Sequence, residues 1–397
     1  MAVSREACEK ALISTAGKVS AAAAKLGISR HQFYRLTSGR TRETLGPTEV
    51  PDRMDPVEKV RLTKQLERER KLLRDLAEKE YQNAEFQSFV SSVVATHREV
   101  PEWVYTPNSN PRAAVACSVL SDIHYSETIL PEEIDYCNAY NVRIADLRIR
   151  KYFENLVSLQ TKHCTGFDYS GTVLSFLGDF ISGSIHDELA QTNEISDYEA
   201  VLRLSSSLTS GLRMLAGEVG RVHVKCVTGN HPRNSRKPRF KERNTHNLDW
   251  LIYHVTARDF VGDPRVTFEV SEAADLQFRV LNTTYLATHG DQFKGGSGIA
   301  AALSPLLLGD HRKRKRASSI GNPYDWMVMG HFHNLMLGVY GILMNGALCG
   351  YNEYAYGNNF PYEPASQAFW VNDAKYGVTV RAPILVQDED EEGWGSV

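Results

Sequence analysis

Short, mostly apolar runs recur through the second two-thirds of the chain: Ala114–Leu120, Val173–Leu177, Val222–Thr228, Thr284–Thr288 and Trp326–Met329. Each stops at a glycine or a polar residue. Runs of this length with little alternation are the pattern of strands buried on both faces. The sites that close them are about forty to sixty residues apart, room for a crossover helix and its loops. This alternation predicts an α/β domain over residues 113–386.

The N-terminal part has a different rhythm. Gly17–Leu26 is a strong helix former, Gly27-Ile28-Ser29 breaks it, and Ser29 can cap a second helix over Arg30–Leu36. Ala23, Leu26, Ile28, Phe33 and Leu36 would form the interior of a small all-α helix-turn-helix domain over 1–42. A Pro-rich polar linker follows at 41–56, then a long charged helix from about 57 to 94, the two filling 43–112. Leu62, Leu66, Leu73 and Leu76 nearly repeat as heptads, but Glu69 and Glu80 interrupt the seam. A solvated helix folded against the next domain is expected over a dimer zipper, and a homodimer through this helix stays open. The end, 387–397, carries the acidic run Asp388–Glu392, expected as a solvated tail or a shield for basic surface.

Composition adds little to this outline. The chain has 397 residues, 42% hydrophobic and 23% charged, an ordinary soluble balance. A net charge of −3 means that attraction for nucleic acid must come from local patches. The six cysteines form no CxxC pair, and Cys117 and Cys226 fall inside apolar runs, which suits core positions in a reducing compartment. Without a signal-like apolar stretch or a run near the roughly 20 residues of a membrane span, a cytoplasmic protein with no membrane partner is expected.

The strand ends carry the chemistry. They read Asp122-Ile123-His124, Gly178-Asp179, Gly229-Asn230-His231, His289-Gly290-Asp291 and Gly330-His331-Phe332-His333. Carboxylate, imidazole and amide oxygen suit divalent ions such as Mn²⁺, Fe²⁺, Zn²⁺ or Ni²⁺. Asp-x-His and His-x-His after a strand place alternate side chains on one side, and the glycines permit sharp turns and close approach. The absence of a cysteine ligand set argues against a structural zinc.

This ordered set resembles the calcineurin-like metallophosphoesterases, over roughly 113–350. The resemblance implies a four-layer αββα sandwich with two metal ions, Mn²⁺ foremost, at one edge. It implies that Asp122, His124 and His333 hold the first ion, that Asn230, His289 and His331 hold the second, and that Asp179 bridges both. It also gives His231 the role of phosphate contact and general acid. One departure stands out. Pro232-Arg233 follows Gly-Asn-His where the family usually has an acidic residue, so His231 needs another orienter: His186, Asp187, Glu188 or Asp291. Failing these, His231 would act mainly as an electrostatic group.

Charge speaks to the substrate. Residues 232–243 hold six Lys/Arg against one Glu, and His311–Arg316 is nearly all basic. Read as basic loops beside a phosphoester centre, they suit a polyanionic strand. Their candidate nucleic-acid contacts are Arg233, Arg236, Lys237, Arg239, Arg312, Lys313, Arg314, Lys315 and Arg316. Gly295–Gly298 would give a mobile loop nearby. The N-terminal run resembles the helix-turn-helix of bacterial enhancer-binding regulators, with Arg30, His31, Gln32, Tyr34 and Arg35 on its recognition helix. The stretch Asn345–Ala355 is similar to phosphoesterases of tailed phages, which implies a phage-encoded protein in host cytoplasm. The expected function is a dinuclear metal-dependent phosphodiesterase cutting DNA, its core resembling the nucleases of double-strand-break repair. The alternatives are a phosphatase or cyclic-nucleotide phosphodiesterase on a small substrate, and a non-catalytic DNA-binding scaffold.

Overall fold

Every residue of Ala113–Leu120 (β1) is buried, so the strand needs cover on both faces. The computed structural model describes residues 7, 10, 11, 19–28, 32, 33, 99–293 and 304–394. The chain divides into two compact units, Met1–Gln87 and Ser88–Val397.

In the first unit, Val19–Lys25 forms helix α1. Ala11, Ala22, Ala23 and Phe33 are buried together, with Leu26 and Ile28 packed on them. Gln32 is exposed. Arg30, His31, Tyr34 and Arg35, the linker and the long helix expected over 57–94 lie outside the described residues.

In the second unit, β1 sits third in a six-stranded sheet of order β11-β10-β1-β2-β3-β4. Its partners are β2 (Asp168–Phe176), β3 (Val222–Cys226), β4 (Val266–Val270), β10 (Ser366–Asp373) and β11 (Gly377–Leu385). The strands β1 to β4 run parallel, and β10 and β11 close the other edge antiparallel. A second sheet has the order β5-β6-β7-β9-β8. It comprises β5 (Asp275–Val280), β6 (Thr283–Thr288), β7 (Trp326–Met329), β8 (Met336–Val339) and β9 (Ile342–Met344), with β6, β7 and β9 parallel.

The period of two along these strands sorts the layers. Val115, Cys117, Val119 and Val173 of the first sheet share one core with Tyr285, Ala287, Val328 and Leu343 of the second, so the sheets face each other. A short polar thread crosses this core: Trp370 Nε1 donates to Tyr285 Oη (3.0 Å), which donates to Asn372 Oδ1 (2.6 Å). The intervening side chains face outward onto helices. Ser118 Oγ meets Tyr152 Oη (2.8 Å) on α2 (Val142–Ser158). A short helix α3 (Asp187–Thr192) precedes α4 (Asp197–Val219), and Phe176 packs near Tyr253 of α5 (Leu248–Arg258). On the far side, Leu286, Met327 and Met329 pack with Leu306 and Ala317 of α6 (Ser304–Ser319). The result is helix, sheet, sheet, helix. Polar side chains start the main helices: Asn141 accepts from Ile144 N, Ser196 from Glu199 N and Asn247 from Asp249 N.

Two expectations about charged runs change. The basic run at 311–316 lies on α6 and is not a loop. Helical spacing turns Lys313 inward to Asp275 (2.6 Å), and Arg316 reaches the same carboxylate (2.5 Å). Arg314 pairs with Asp310 (2.7 Å), one turn away. Arg312 and Lys315 stay exposed. The acidic run is likewise docked, after the short α7 (Glu353–Gly357), as helix α8 (Glu389–Glu392). Lys151 pairs with Asp388, Arg150 with Glu391, and the buried Arg148 takes both oxygens of buried Glu392 at 2.8 Å. Arg148 also donates to the carbonyls of Leu348 (3.2 Å) and Cys349 (2.8 Å). The tail is therefore part of the domain, because α2 presents Arg148, Arg150 and Lys151 to it.

Removing Glu392 would strand the Arg148 charge in the interior. Glu392→Ala should lower unfolding free energy by about 3–5 kcal/mol in urea titrations, the cost of one unpaired buried ion. A loss below about 1 kcal/mol would show that the pair contributes little.

Candidate metal centre

The five motifs expected at strand ends all meet at one place, the carboxyl ends of β1, β2, β3, β6 and β7. Three come from the first sheet and two from the second, so the site lies where the edges of the facing sheets converge. Asp122, Asp179 and His289 are each no more than 1% exposed, and His124 is 2% exposed.

Ligand atoms fall into two groups. Asp122, His124 and His333 place theirs within 4.8 Å of one another, and so do Asp179, His289 and His331. In the second group His289 Nε2 lies 2.9 Å from Asp179 Oδ2 and 3.1 Å from Asn230 Oδ1, which brings the amide in as a further oxygen donor. His289 Nδ1 donates to the Leu177 carbonyl (2.7 Å), fixing the ring so that Nε2 faces the acidic side. In the first group His333 Nε2 lies 3.4 Å from Asp122 Oδ1. Both ring nitrogens of His124 are buried without a hydrogen-bond partner. An imidazole with two orphaned nitrogens is costly unless something outside the chain engages it. Together with two carboxylates, an amide oxygen and four imidazoles, this is a donor set that fits borderline divalent ions.

Electrostatics agree. Burial alone would raise the Asp179 carboxyl, but the charges of His289 and His231 outweigh it and hold it well below the usual range. Burial would depress His289, but the Asp179 anion overrides this and raises it to about 10. Burial, aided by the charge of His289, drops His331 to about 4. Burial and the neighbouring His231 and His333 hold His124 well below its ordinary value.

The backbone is shaped for this purpose. Asp122, His124, Asp179, His331 and His333 all have positive φ, between 48° and 72°. Alternate side chains converge here through left-handed turns in the loops after the strands. Such conformations cost on the order of 1 kcal/mol or more each for non-glycine residues. Two glycines explain their own place in the motifs. A Cβ on Gly229 would sit 2.1 Å from Asp179 Oδ1, and one on Gly330 would sit 2.4 Å from Asp122 Oδ2.

Several residues that sequence reasoning did not single out hold the loops in register. Buried Asp249, in the first turn of α5, accepts from the backbone N–H groups of Asp179 (3.0 Å), Phe180 (3.0 Å) and Gly229 (2.8 Å). Burial and the Asp179 charge push its carboxyl up to about 7. Nothing local in Asn247-Leu248-Asp249 distinguishes it from an ordinary helix start. Ser121 Oγ donates to Asp122 Oδ2 (2.5 Å), and Asn345 Nδ2 donates to Ser121 Oγ (2.8 Å). Glu127 stands 3.6 Å from His124 Nδ1, with Cys349 beside it. Burial raises the Cys349 thiol well above its ordinary range, which keeps it a poor ligand.

His231 belongs to the same cluster. Its ring is 4.7 Å from that of His124, and its backbone N–H donates to Asp179 Oδ1 (2.8 Å). Of the expected orienters, Asp291 is bound by Arg243 and Asp187 by Arg236. The Ser182 carbonyl takes their place, 3.1 Å from His231 Nδ1. It accepts the Nδ1 proton and leaves Nε2 for chemistry. His186 lies alongside, 5.5 Å between ring centres. Of the predicted basic contacts, Arg233 turns inward onto the carbonyls of Asn230, Ser235 and Arg236. Arg239 pairs with Glu242, and Lys237 is exposed.

No family model and no curated protein matches the chain. Among solved structures it is similar to Vacuolar Protein Sorting 29 from Cryptosporidium parvum, at 14% identity over 68% of this chain and 96% of that one, TM-score 0.27. It is also similar to a putative 5′-nucleotidase from Staphylococcus aureus, at 15% identity over 71% of this chain and 57% of that one, TM-score 0.35. A dimetal phosphatase from Danio rerio matches at 11% identity over 70% of this chain and 100% of that one, TM-score 0.32.

Two outcomes follow from the geometry. A ligating imidazole must be neutral, whereas in the metal-free protein His289 keeps its proton up to about pH 10. The Asp179–His289 ion pair therefore stabilises the metal-free fold fully below the ordinary histidine range, and that contribution is lost progressively as pH rises from there to about 10. Loading Mn²⁺ at pH 8 should release protons, read as a calorimetric heat that depends on the ionisation enthalpy of the buffer; identical heats in all buffers would contradict the assignment. Separately, Asp249→Ala leaves three buried N–H groups without an acceptor. At about 1–3 kcal/mol each it should lose more than about 3 kcal/mol of stability in urea titrations, and weaken metal binding. A change within about 1 kcal/mol would refute the staple.

Proposed function

We propose that the protein is a dinuclear metal-dependent phosphoester hydrolase of the calcineurin-like kind, acting on phosphodiesters of DNA. The single observation that carries this is the convergence of Asp122, His124, Asp179, Asn230, His289, His331 and His333 into two adjoining groups, one of which holds a histidine with both nitrogens orphaned.

Asp122, His124 and His333 would hold one ion, Asn230, His289 and His331 the other, with Asp179 shared between them. When bound, the ions supply Lewis acidity for activating water and for neutralising charge on the phosphoryl oxygens. His231 sits at the edge of the cluster with Nδ1–H donated to Ser182, so its Nε2 can carry a proton to the leaving oxygen. Support for DNA comes from the basic stretch 233–243 directly after His231 and from the basic N-terminal residues 1–42.

A second reading, a compact phosphorylated substrate, draws on the ion pairs that already engage Lys313, Arg314 and Arg316 and so leave less free positive surface. The test separates them. With Mn²⁺, the protein should cleave labelled single- or double-stranded DNA, and Asp179→Asn should lose at least about a hundredfold in rate, since on this reading that side chain would serve both ions. Cleavage should fall steeply with salt through counterion release. Turnover of a bis-aryl phosphodiester with DNA untouched would favour the compact substrate, and no metal-dependent turnover at all would sink the hydrolase.

A further inference from the structure

Beside the metal centre lies a small cleft that the chemistry above does not use. It begins at Asn230 and is walled by Arg233, Arg239, Arg243, His246 and Asp291. Its charge is mostly positive: three guanidinium groups face one carboxylate within the lining. That carboxylate is fully engaged, since Asp291 takes both terminal nitrogens of Arg243 (3.0 and 2.9 Å). Two further acids bear on the cleft: buried Asp179, whose charge acts on Arg233, and exposed Glu242, 3.2 Å from Arg239 and 3.5 Å from His246.

The two inner arginines are held rigid. Arg243 also donates to the carbonyls of Thr228 (3.2 Å) and Gly229 (3.3 Å), and Arg233 to that of Asn230 (2.7 Å). Their positions are thus fixed to the backbone that carries a metal-ligand residue. Arg243 Nε is buried and has no partner. Arg233 is held by the carbonyls of Asn230, Ser235 and Arg236, and a guanidinium fixed by neutral acceptors keeps a charge that suits an anion. The outer wall, Arg239 and His246, is more exposed.

We propose that this cleft is a subsite for a second, non-scissile phosphate group. The substrate would then carry phosphates on successive nucleotides, one at the metal centre and the next against Arg239, Arg243 and His246. This rests on the phosphoesterase reading of the centre and narrows it: a lone phosphoester would leave the cleft empty.

The test uses the full chain loaded with Mn²⁺ and two probes that contain no phosphodiester bond, thymidine 3′,5′-bisphosphate and thymidine 5′-monophosphate, with affinities measured by calorimetry. The bisphosphate should bind about tenfold tighter. Arg239→Gln and His246→Gln, both at the outer wall, should each cut that ratio to about threefold or less, with circular dichroism showing the fold intact. Equal affinity for the two probes in the unaltered protein, or a ratio that survives both substitutions, overturns the subsite. A bisphosphate preference in a protein that hydrolyses no phosphodiester would support the subsite and remove the hydrolase; hydrolysis without the preference would remove the subsite alone.

Discussion

Two carboxylates, Asp122 and Asp179, are buried at the line where the two sheets meet. A buried anion without a partner is prohibitive, and the rest of this end of the molecule is arranged to supply partners. Imidazoles arrive from β6 and β7, across the seam. Backbone N–H groups arrive from His331 to Asp122 and from His231 to Asp179. The hydroxyl of Ser121 covers one more oxygen. The imidazole and backbone contacts also tie one sheet to the other or one loop to the next. In the metal-free protein, protons on histidine provide counter-charge; divalent ions would take over that role, so fold stability and metal affinity draw on the same side chains.

That demand explains the local oddities. Left-handed backbone at Asp122, His124, Asp179, His331 and His333 would be unfavourable in a free loop, yet here it turns short loops sharply enough to aim successive side chains at one point. Asp249 fixes two of those loops from behind by collecting three N–H groups. Gly229 and Gly330 are small because carboxylate oxygens occupy the space that a side chain would need. Strain, staple and glycine are three consequences of one requirement, that buried charges be reached from several directions within a few ångströms.

Charge elsewhere follows the same rule at lower cost. A run of cations on one helix and a run of anions at the chain end look in isolation like surfaces awaiting partners. In the folded domain both are largely matched internally, Lys313 and Arg316 by Asp275, and the acidic residues by Arg148, Arg150 and Lys151. The arginines after His231 differ. Arg233 is braced by backbone carbonyls, which fix geometry without cancelling charge, whereas Arg243 is matched by Asp291.

By itself the sequence determined the five strands that bear the site, the residues at their ends and their donor chemistry. Those signals are local: a buried strand must be apolar, and a glycine or carboxylate at its end stands out against it. It also named Cys117 and Cys226 as core residues, as they are. It could not say that β1, β2 and β3 lie in one sheet while β6 and β7 lie in the facing one, because pairing is decided by contacts distant in sequence. Nor could it find the orienter of His231, a backbone carbonyl at Ser182 that any residue type could supply. Asp249 and Glu392 were illegible for a related reason. Their roles come from what the folded chain buries against them, and a carboxylate in a sequence carries no mark of whether it will meet water, a backbone N–H or a buried arginine.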